Sequence, residues 1–230
     1  MSHTSRTSWI ARNKVLTSSG VVIALMTLGA CTDTDTAGKD DAAAKKPAAS
    51  SPAAGGGDSA QKKAAFKGNG TFEVGKDIQP GTYRTTGNGS AGCYWERAKD
   101  SSGEADSIIS NDNVTGASYV TIADSDKIFK TNDCKDWEAV DPKAAGGSPK
   151  TEFSGKAGML KVGTDVAPGT YKSAGPAEDG AGCYWERSKS AAHDLDSIIA
   201  NENPTGSAVV TIGADDAYFK TNDCADWKKS

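Results

Sequence analysis

Apolar residues in this chain fall in short alternating runs, and none recur at helical spacing over any length. Phe72, Val74 and Ile78 lead to Pro80-Gly81 with Tyr83 just beyond. The same order returns as Leu160, Val162, Val166, Pro168-Gly169 and Tyr171. In a strand, alternation places Cys93 and Trp95 on one face and Tyr94 and Glu96 on the other. Val120-Thr121-Ile122 alternates cleanly, and Ile128-Phe129-Lys130-Thr131 closes the unit. Pro80-Gly81 suits the central positions of a type II turn. Asn111–Gly116 reads as a turn-rich loop. About six short strands separated by such turns predict an all-β fold, a small sandwich or barrel.

That unit occurs twice. Cys93–Trp137 recurs without a gap as Cys183–Trp227, 90 residues on, with more than half of the positions identical, which is a tandem duplication. Repeat 1 covers 66–138 and repeat 2 covers 153–230. The stretch 139–152, with Gly146-Gly147-Ser148-Pro149, reads as a polar linker that few contacts need to cross. A domain of about 70 residues has a marginal core, and in an exported protein a disulfide supplements it. The four repeat cysteines allow three pairings. Independent closure of each copy favours Cys93–Cys134 and Cys183–Cys224, each contributing roughly 4 kcal/mol in the chain-entropy account. Trp95 is expected beside the bridge as core.

The N-terminus changes the picture from a free domain pair to an exported one. Residues 1–14 carry Arg6, Arg12 and Lys14 with no acidic side chain, and Val15–Ala30 is mostly apolar. This is a secretory leader over 1–30, too short and too rich in Ser and Thr for a spanning helix of about 20 apolar residues. It ends Leu28-Gly29-Ala30-Cys31, which resembles the lipobox of bacterial lipoproteins, so Cys31 is the expected lipidation site. Two acyl chains anchor stably where one does not, and the expected address is the extracytoplasmic face of the cell membrane. The stretch from Cys31 to residue 65 is built from small and polar residues and reads as a disordered tether with a reach on the order of 30 Å.

Charge and candidate chemistry narrow the function. The whole chain carries a formal −4. Without the three basic residues of the leader, 23 basic residues stand against 30 acidic, or −7. Such a surface repels phosphate backbones, so nucleic acid is not an expected partner. Beyond the leader His193 is the sole histidine, and repeat 1 has Gly103 in its place. A residue missing from one copy cannot serve a chemistry common to both. No nucleophile elbow or His/Cys metal spacing is present, and neither a catalytic activity nor a cofactor or metal is expected. Asn111-Asp112-Asn113 and Thr131-Asn132-Asp133 offer oxygens to calcium but lack the EF-hand spacing. Arg97, next to Glu96, is expected in a cross-strand ion pair with Asp106 or Asp126. The candidate ligand patch is Tyr94 and Arg97 with Tyr184 and Arg187, an aromatic and cationic set suited to a cell-wall glycan or a protein.

The string Val74-Gly75-x-Asp77-Ile78-x-Pro80-Gly81-Thr82-Tyr83-Arg84, then Gly92-Cys93-Tyr94-Trp95-Glu96-Arg97, resembles a module of exported proteins and lipoproteins of actinobacteria. Asp106-x-Ile108-Ile109-x-Asn111, Val120-Thr121-Ile122 and Cys134-x-x-Trp137 fit it too, and repeat 2 fits with Val166 for the Ile and Lys172 for the Arg. The resemblance implies an envelope setting and carries no catalytic residues. The expected function is a lipid-anchored envelope protein with two β modules for binding or scaffolding. The alternative is a surface-presented inhibitor of a secreted enzyme such as a protease, inserting the Asn111–Gly116 loop.

Overall fold

The computed structural model describes residues 65–141 and 146–230. The leader, Cys31 and the tether up to residue 64 lie outside the described residues. Within them regular structure is strand, apart from single 3-10 turns at Ala105–Ser107 and Leu195–Ser197. The all-β reading therefore holds, with two tandem disulfide-stapled units.

Repeat 1 contains β1 (Gly70–Glu73), β2 (Gly81–Ala98), β3 (Ile108–Ile122), β4 (Ile128–Asn132) and β5 (Glu138–Ala139). Its two long strands each serve both layers of the unit. The first part of β2, Gly81–Thr85, pairs with Ser118–Ile122 of β3, and β5 pairs on its other side. After register shifts between Thr85 and Cys93, the second part pairs with Ser110–Val114 of β3 and with β4, which in turn carries β1. The core lies between these halves, with Tyr83, Val120 and Ile122 from one and Trp95, Val114 and Phe129 from the other.

Repeat 2 contains β6 (Glu152–Phe153), β7 (Gly158–Lys161), β8 (Gly169–Ser173), β9 (Tyr184–Ser188), β10 (Ile198–Glu202), β11 (Ala208–Ile212), β12 (Tyr218–Asn222) and β13 (Trp227–Lys229). Here each long strand of repeat 1 is split. β8 and β9 correspond to β2, and β10 and β11 to β3. Pro204 stands where repeat 1 has Val114, and a proline has no N–H to give to a ladder. The equivalent segment of repeat 1 carries Val114 and runs straight through.

Three expectations need correction. Asn111–Gly116 is no loop but the middle of β3, with Asn111, Asp112, Asn113 and Val114 paired to Glu96, Trp95, Tyr94 and Cys93. The inserting loop on which the inhibitor reading depends is therefore not there. Pro80-Gly81 makes no type II turn: Gly81 opens β2 and pairs with Ile122. The tight turn lies just before it, where Asp77 Oδ2 accepts the Glu73 N–H at 2.9 Å and Gly75 N–H reaches the Ile78 carbonyl at 2.7 Å. Asp165 plays the same part on Lys161 N–H, at 2.9 Å. Lastly, the repeats are not sparsely connected beads. A sheet continues from β3 of repeat 1 into β7 of repeat 2, in the order β1-β4-β2-β3-β7-β12-β9-β10, while β11-β8-β13-β6 form a second sheet.

Candidate functional site at the repeat junction

The duplicated hexapeptide is mostly structural. Cys93–Cys134 and Cys183–Cys224 are bonded within their own repeats, each with Cα atoms 4.3 Å apart. Trp95 is buried in the core cluster that holds its bridge. Its indole N–H donates to Ser118 Oγ at 3.2 Å. Two positions on along the strand, Arg97 points inward as well. Its Nε and Nη2 grip Asp126 at 2.6 and 3.0 Å, so of the two partners expected it takes Asp126. Arg187 grips Asp216 in the same way, at 2.6 and 2.8 Å. That pairing raises the Arg187 pKa, with burial opposing.

The proposed patch of Tyr94, Arg97, Tyr184 and Arg187 is therefore not one surface. Alternation sends each tyrosine and its neighbouring arginine to opposite faces. Tyr94 and Tyr184 are half-buried and donate to Glu96 at 2.5 Å and Glu186 at 2.6 Å. Burial first, and then these carboxylates, push both phenols above their ordinary pKa. The Arg97 side chain is only 7% exposed, its bidentate charge pair closed within the fold.

The structure instead gathers polar chemistry where the repeats meet. An apolar cluster of Tyr119 from repeat 1 with Met159, Ala191 and Tyr218 from repeat 2 fills the junction. The Tyr119 and Tyr218 rings lie 5.1 Å apart. Around it the outward edge of β3 is satisfied by repeat 2. Ala117 N–H donates to the Ala157 carbonyl at 2.8 Å and Thr121 N–H to the Ala191 carbonyl at 2.8 Å. His193 Nε2 lies 2.7 Å from the Tyr119 carbonyl, which fixes the proton on that nitrogen as donor. Arg97 adds an Nη1 bond to the Ala192 carbonyl at 2.7 Å.

Such a close approach needs glycine. A Cβ on Gly158 (φ 74°) would sit 2.1 Å from the Ala117 carbonyl oxygen, and one on Gly116 (φ 76°) 2.4 Å from that of Ala157. His193 itself adopts φ 56°, while its counterpart Gly103 adopts φ 74°. Repeat 1 meets this left-handed position with glycine, whereas repeat 2 holds a histidine there through its bond to Tyr119, at a strain of order 1 kcal/mol.

Two concavities flank the junction. A groove of about 240 Å³ is lined by Arg84, Tyr119, Glu138, Val140, Lys161 and Asp165, among others. In it Tyr119 Oη donates to Asp165 Oδ2 at 2.6 Å, and the Arg84 guanidinium lies 5.4 Å above the Tyr119 ring and 3.5 Å from Asp165 Oδ1. Burial, followed by the Asp165 carboxylate, pushes the Tyr119 phenol well above its usual range. Arg84 Nε is buried and has no acceptor among the described residues. On the other flank a cleft of about 370 Å³ is lined by Ile109, Asn111, Glu186, His193, Leu195 and Lys220. Lys220 Nζ meets Asp112 Oδ2 across the junction at 2.7 Å, which commits one of the oxygens proposed for calcium. Burial and then Lys220 depress the His193 pKa, with Asp112 opposing.

A family model described as an Rv1352-like extracellular domain matches residues 64–138 and again 151–228. The chain belongs to the Rv1352-like extracellular domain family. Both copies of that domain carry the disulfide and the arginine–aspartate pair described above. An uncharacterized protein of Mycobacterium tuberculosis, Rv1352, is 30% identical over 82 residues, covering 31% of this chain and 67% of that protein. An uncharacterized protein of Mycobacterium bovis, Mb1387, matches to the same extent. No solved structure matches. Among the described residues no helix is long and apolar enough to cross a membrane. The Rv1352-like pair is thus an extracellular unit of two domains, and it is the junction, not the domain, that concentrates charged groups from both copies.

Sequence reasoning missed the junction residues. The absence of a His193 counterpart from repeat 1 argues against a chemistry common to both copies, yet a residue present in one copy only is what an asymmetric contact uses. The readable signal is the set of positions where one copy is bulkier or less polar than the other: Tyr119 against Val209, Met159 against Thr71, and Ala191 against Ser101.

Proposed function

We propose that the chain is a lipid-anchored protein of the extracytoplasmic membrane face whose fused β modules bind a cell-wall glycan or protein ligand rather than catalyse. The leader ending Leu28-Gly29-Ala30-Cys31 and the extracellular family support the anchor. The observation that carries binding is the junction groove, which both repeats line and where the Arg84 side chain stays 34% exposed. A ligand hydroxyl or carbonyl oxygen placed there would accept from the Arg84 guanidinium, with the Glu138 and Asp165 carboxylates nearby as acceptors for ligand hydroxyls.

The binding reading is further supported by how the titratable groups are used. Arg97, Arg187 and Lys220 are spent on carboxylates that hold the fold or the junction, and Glu186 accepts from both Tyr184 and Ser188.

Soluble cell-wall glycan fragments are the probe. At about a hundredfold excess over Kd they should raise the stability of the full chain by about 2.7 kcal/mol. Arg84→Gln should abolish that rise. An equal rise with Arg84→Gln would move the site elsewhere, and no rise would remove glycan as the ligand. Separately, metabolic labelling with a fatty acid should mark the wild-type chain and not Cys31→Ser, and persistent label on the variant would refute the anchor.

A further inference from the structure

The junction joins two unlike faces, the outer edge of β3 on repeat 1 and the face around β7 and Ala191–His193 on repeat 2. Since the repeats are copies, each also owns the face that the other one uses. On repeat 2 that face is the outer edge of β11, the terminal strand of its sheet. Val209 pairs with Lys172 as Tyr119 pairs with Arg84, so the two edges are in the same register. Ser207 and Val209 are exposed, Val209 by 59%, where their counterparts Ala117 and Tyr119 are buried. On repeat 1 the counterpart of the β7 face comprises Asn69–Thr71, Asp77, Ser101–Gly103 and Lys130, exposed or half-buried.

We propose that these two free faces bind each other between copies, repeat 2 of one chain docking on repeat 1 of the next as the internal junction does. The polar pairs that lock the internal junction survive in the free faces. Arg84 with Asp165 becomes Lys172 with Asp77 of the next copy. Asp112 with Lys220 becomes Glu202 with Lys130. Arg97, which reaches the Ala192 carbonyl, becomes Arg187 facing the Ser102 carbonyl. The Arg187 side chain is 25% exposed against 7% for Arg97, which leaves it open to such a partner. Ser207 and Thr211 offer the strand-edge N–H groups that Ala117 and Thr121 use internally.

The contact between copies is weaker than the internal one. Val209, Thr71 and Gly103 replace Tyr119, Met159 and His193, so the aromatic stack, the buried thioether and the histidine bond are all lost. Confinement to a membrane surface raises effective concentration and suits an association of this strength. A contact between unlike faces joins copies head to tail, closing into a ring where the rotation between copies permits and otherwise running on as a chain. This inference stands apart from the ligand groove and fails or holds without it.

Zero-length carbodiimide coupling of the full chain on intact cells tests it, because the reagent joins a lysine to a carboxylate only in direct contact. The expected result is a ladder of dimers and higher species whose linked peptides join Lys172 to Asp77 and Lys130 to Glu202. Lys172→Glu and, separately, Val209→Arg, both at exposed positions, should each reduce the ladder at least tenfold while near-UV circular dichroism is unchanged. Monomers alone, a ladder linked through other residues, or a ladder indifferent to both variants would overturn the proposal.

Discussion

Removing the Tyr119 hydroxyl isolates what the junction contributes to stability. Tyr119→Phe keeps the ring against Tyr218 and beneath Arg84 and deletes one bond, the 2.6 Å donation to Asp165 Oδ2. Hydrogen bonds to a charged group contribute about 1.5–3 kcal/mol net. The upper part of that range applies because the Asp165 side chain is only 14% exposed and water replaces the lost donor poorly. Asp165 keeps the Lys161 N–H at 2.9 Å, which prevents a fully orphaned charge. For a cooperative unit of this size, 1 kcal/mol moves Tm by about 2–4 °C, so the melt should fall by about 4–12 °C. Tyr94→Phe is the internal comparison. It also deletes a phenol–carboxylate bond, to Glu96 at 2.5 Å, but on a wetter surface, and should cost about 0.5–1 kcal/mol. Thermal melts of the oxidised full chain followed by near-UV circular dichroism measure both. Equal shifts for the two variants, or a shift under about 1 °C for Tyr119→Phe, would refute the view that the repeats stabilise one another.

Acidification should weaken the folded chain through His193. Its pKa lies below the ordinary value of about 6.5, by burial and Lys220 with Asp112 and Glu186 opposing, so the stability it contributes is complete above that value and is lost as pH falls toward the folded pKa. Urea unfolding at pH 7.5, 6.5 and 5.5 should show a decline that His193→Gln removes; an unchanged decline in the variant would assign it to other groups. Arg97→Met should cost about 3–5 kcal/mol, because it strands the fully buried Asp126 and also severs the bond to Ala192, whereas Arg187→Met should cost less, its side chain being more exposed and making no contact across the junction. Urea titration of both variants checks the order, and equal costs would deny Arg97 its part in the junction.

The interior of each repeat was legible because strand alternation is a strong local signal. It placed Cys93 and Trp95 on one face with Trp95 as core beside the bridge, and independent closure of two copies favoured the disulfides that form. What it misread were elements settled by a neighbour. Asn111–Gly116 has the composition of a loop, yet β2 on one side supplies the ladder and Val114 buries itself in the core. In repeat 2 Pro204 occupies that place, and the chain does leave the sheet over the next residues. The two stretches differ only at Asp112 against Glu202 and Val114 against Pro204, and of these the proline is the one that takes an N–H from the ladder. The arginines of the supposed patch were misread for a similar reason. Their inward direction follows from the alternation and Asp126 is one of the two partners expected for Arg97, but burial of the pair inside the fold, which removes it from any surface patch, is set by the packing of the other strands.

Comparing the copies separates fold from contact more sharply than either copy does alone. Residues kept in both, such as the cysteine pair, Trp95 with Trp185 and Arg97 with Arg187, are buried or paired within their own repeat, and Arg97 alone of these also reaches across to Ala192. Residues that differ are concentrated where the repeats touch, and the differences are complementary. Tyr119 gained bulk on one face while Met159 and Ala191 lost polarity on the other, relative to Val209, Thr71 and Ser101. One difference runs the other way. Ala208 replaces Ser118, so Trp185 Nε1 is buried without a partner, where Trp95 has one. A buried donor left unmade costs about 1–3 kcal/mol; repeat 1 has one as well, Arg84 Nε, but at the junction, whereas that of repeat 2 sits on a tryptophan of its core. Repeat 2 is also the copy that supplies Met159, Ala191, Tyr218 and His193 to the junction. Repeat 2 thus carries a defect inside and a larger share of the contact outside, which makes its stability depend on repeat 1 more than the reverse.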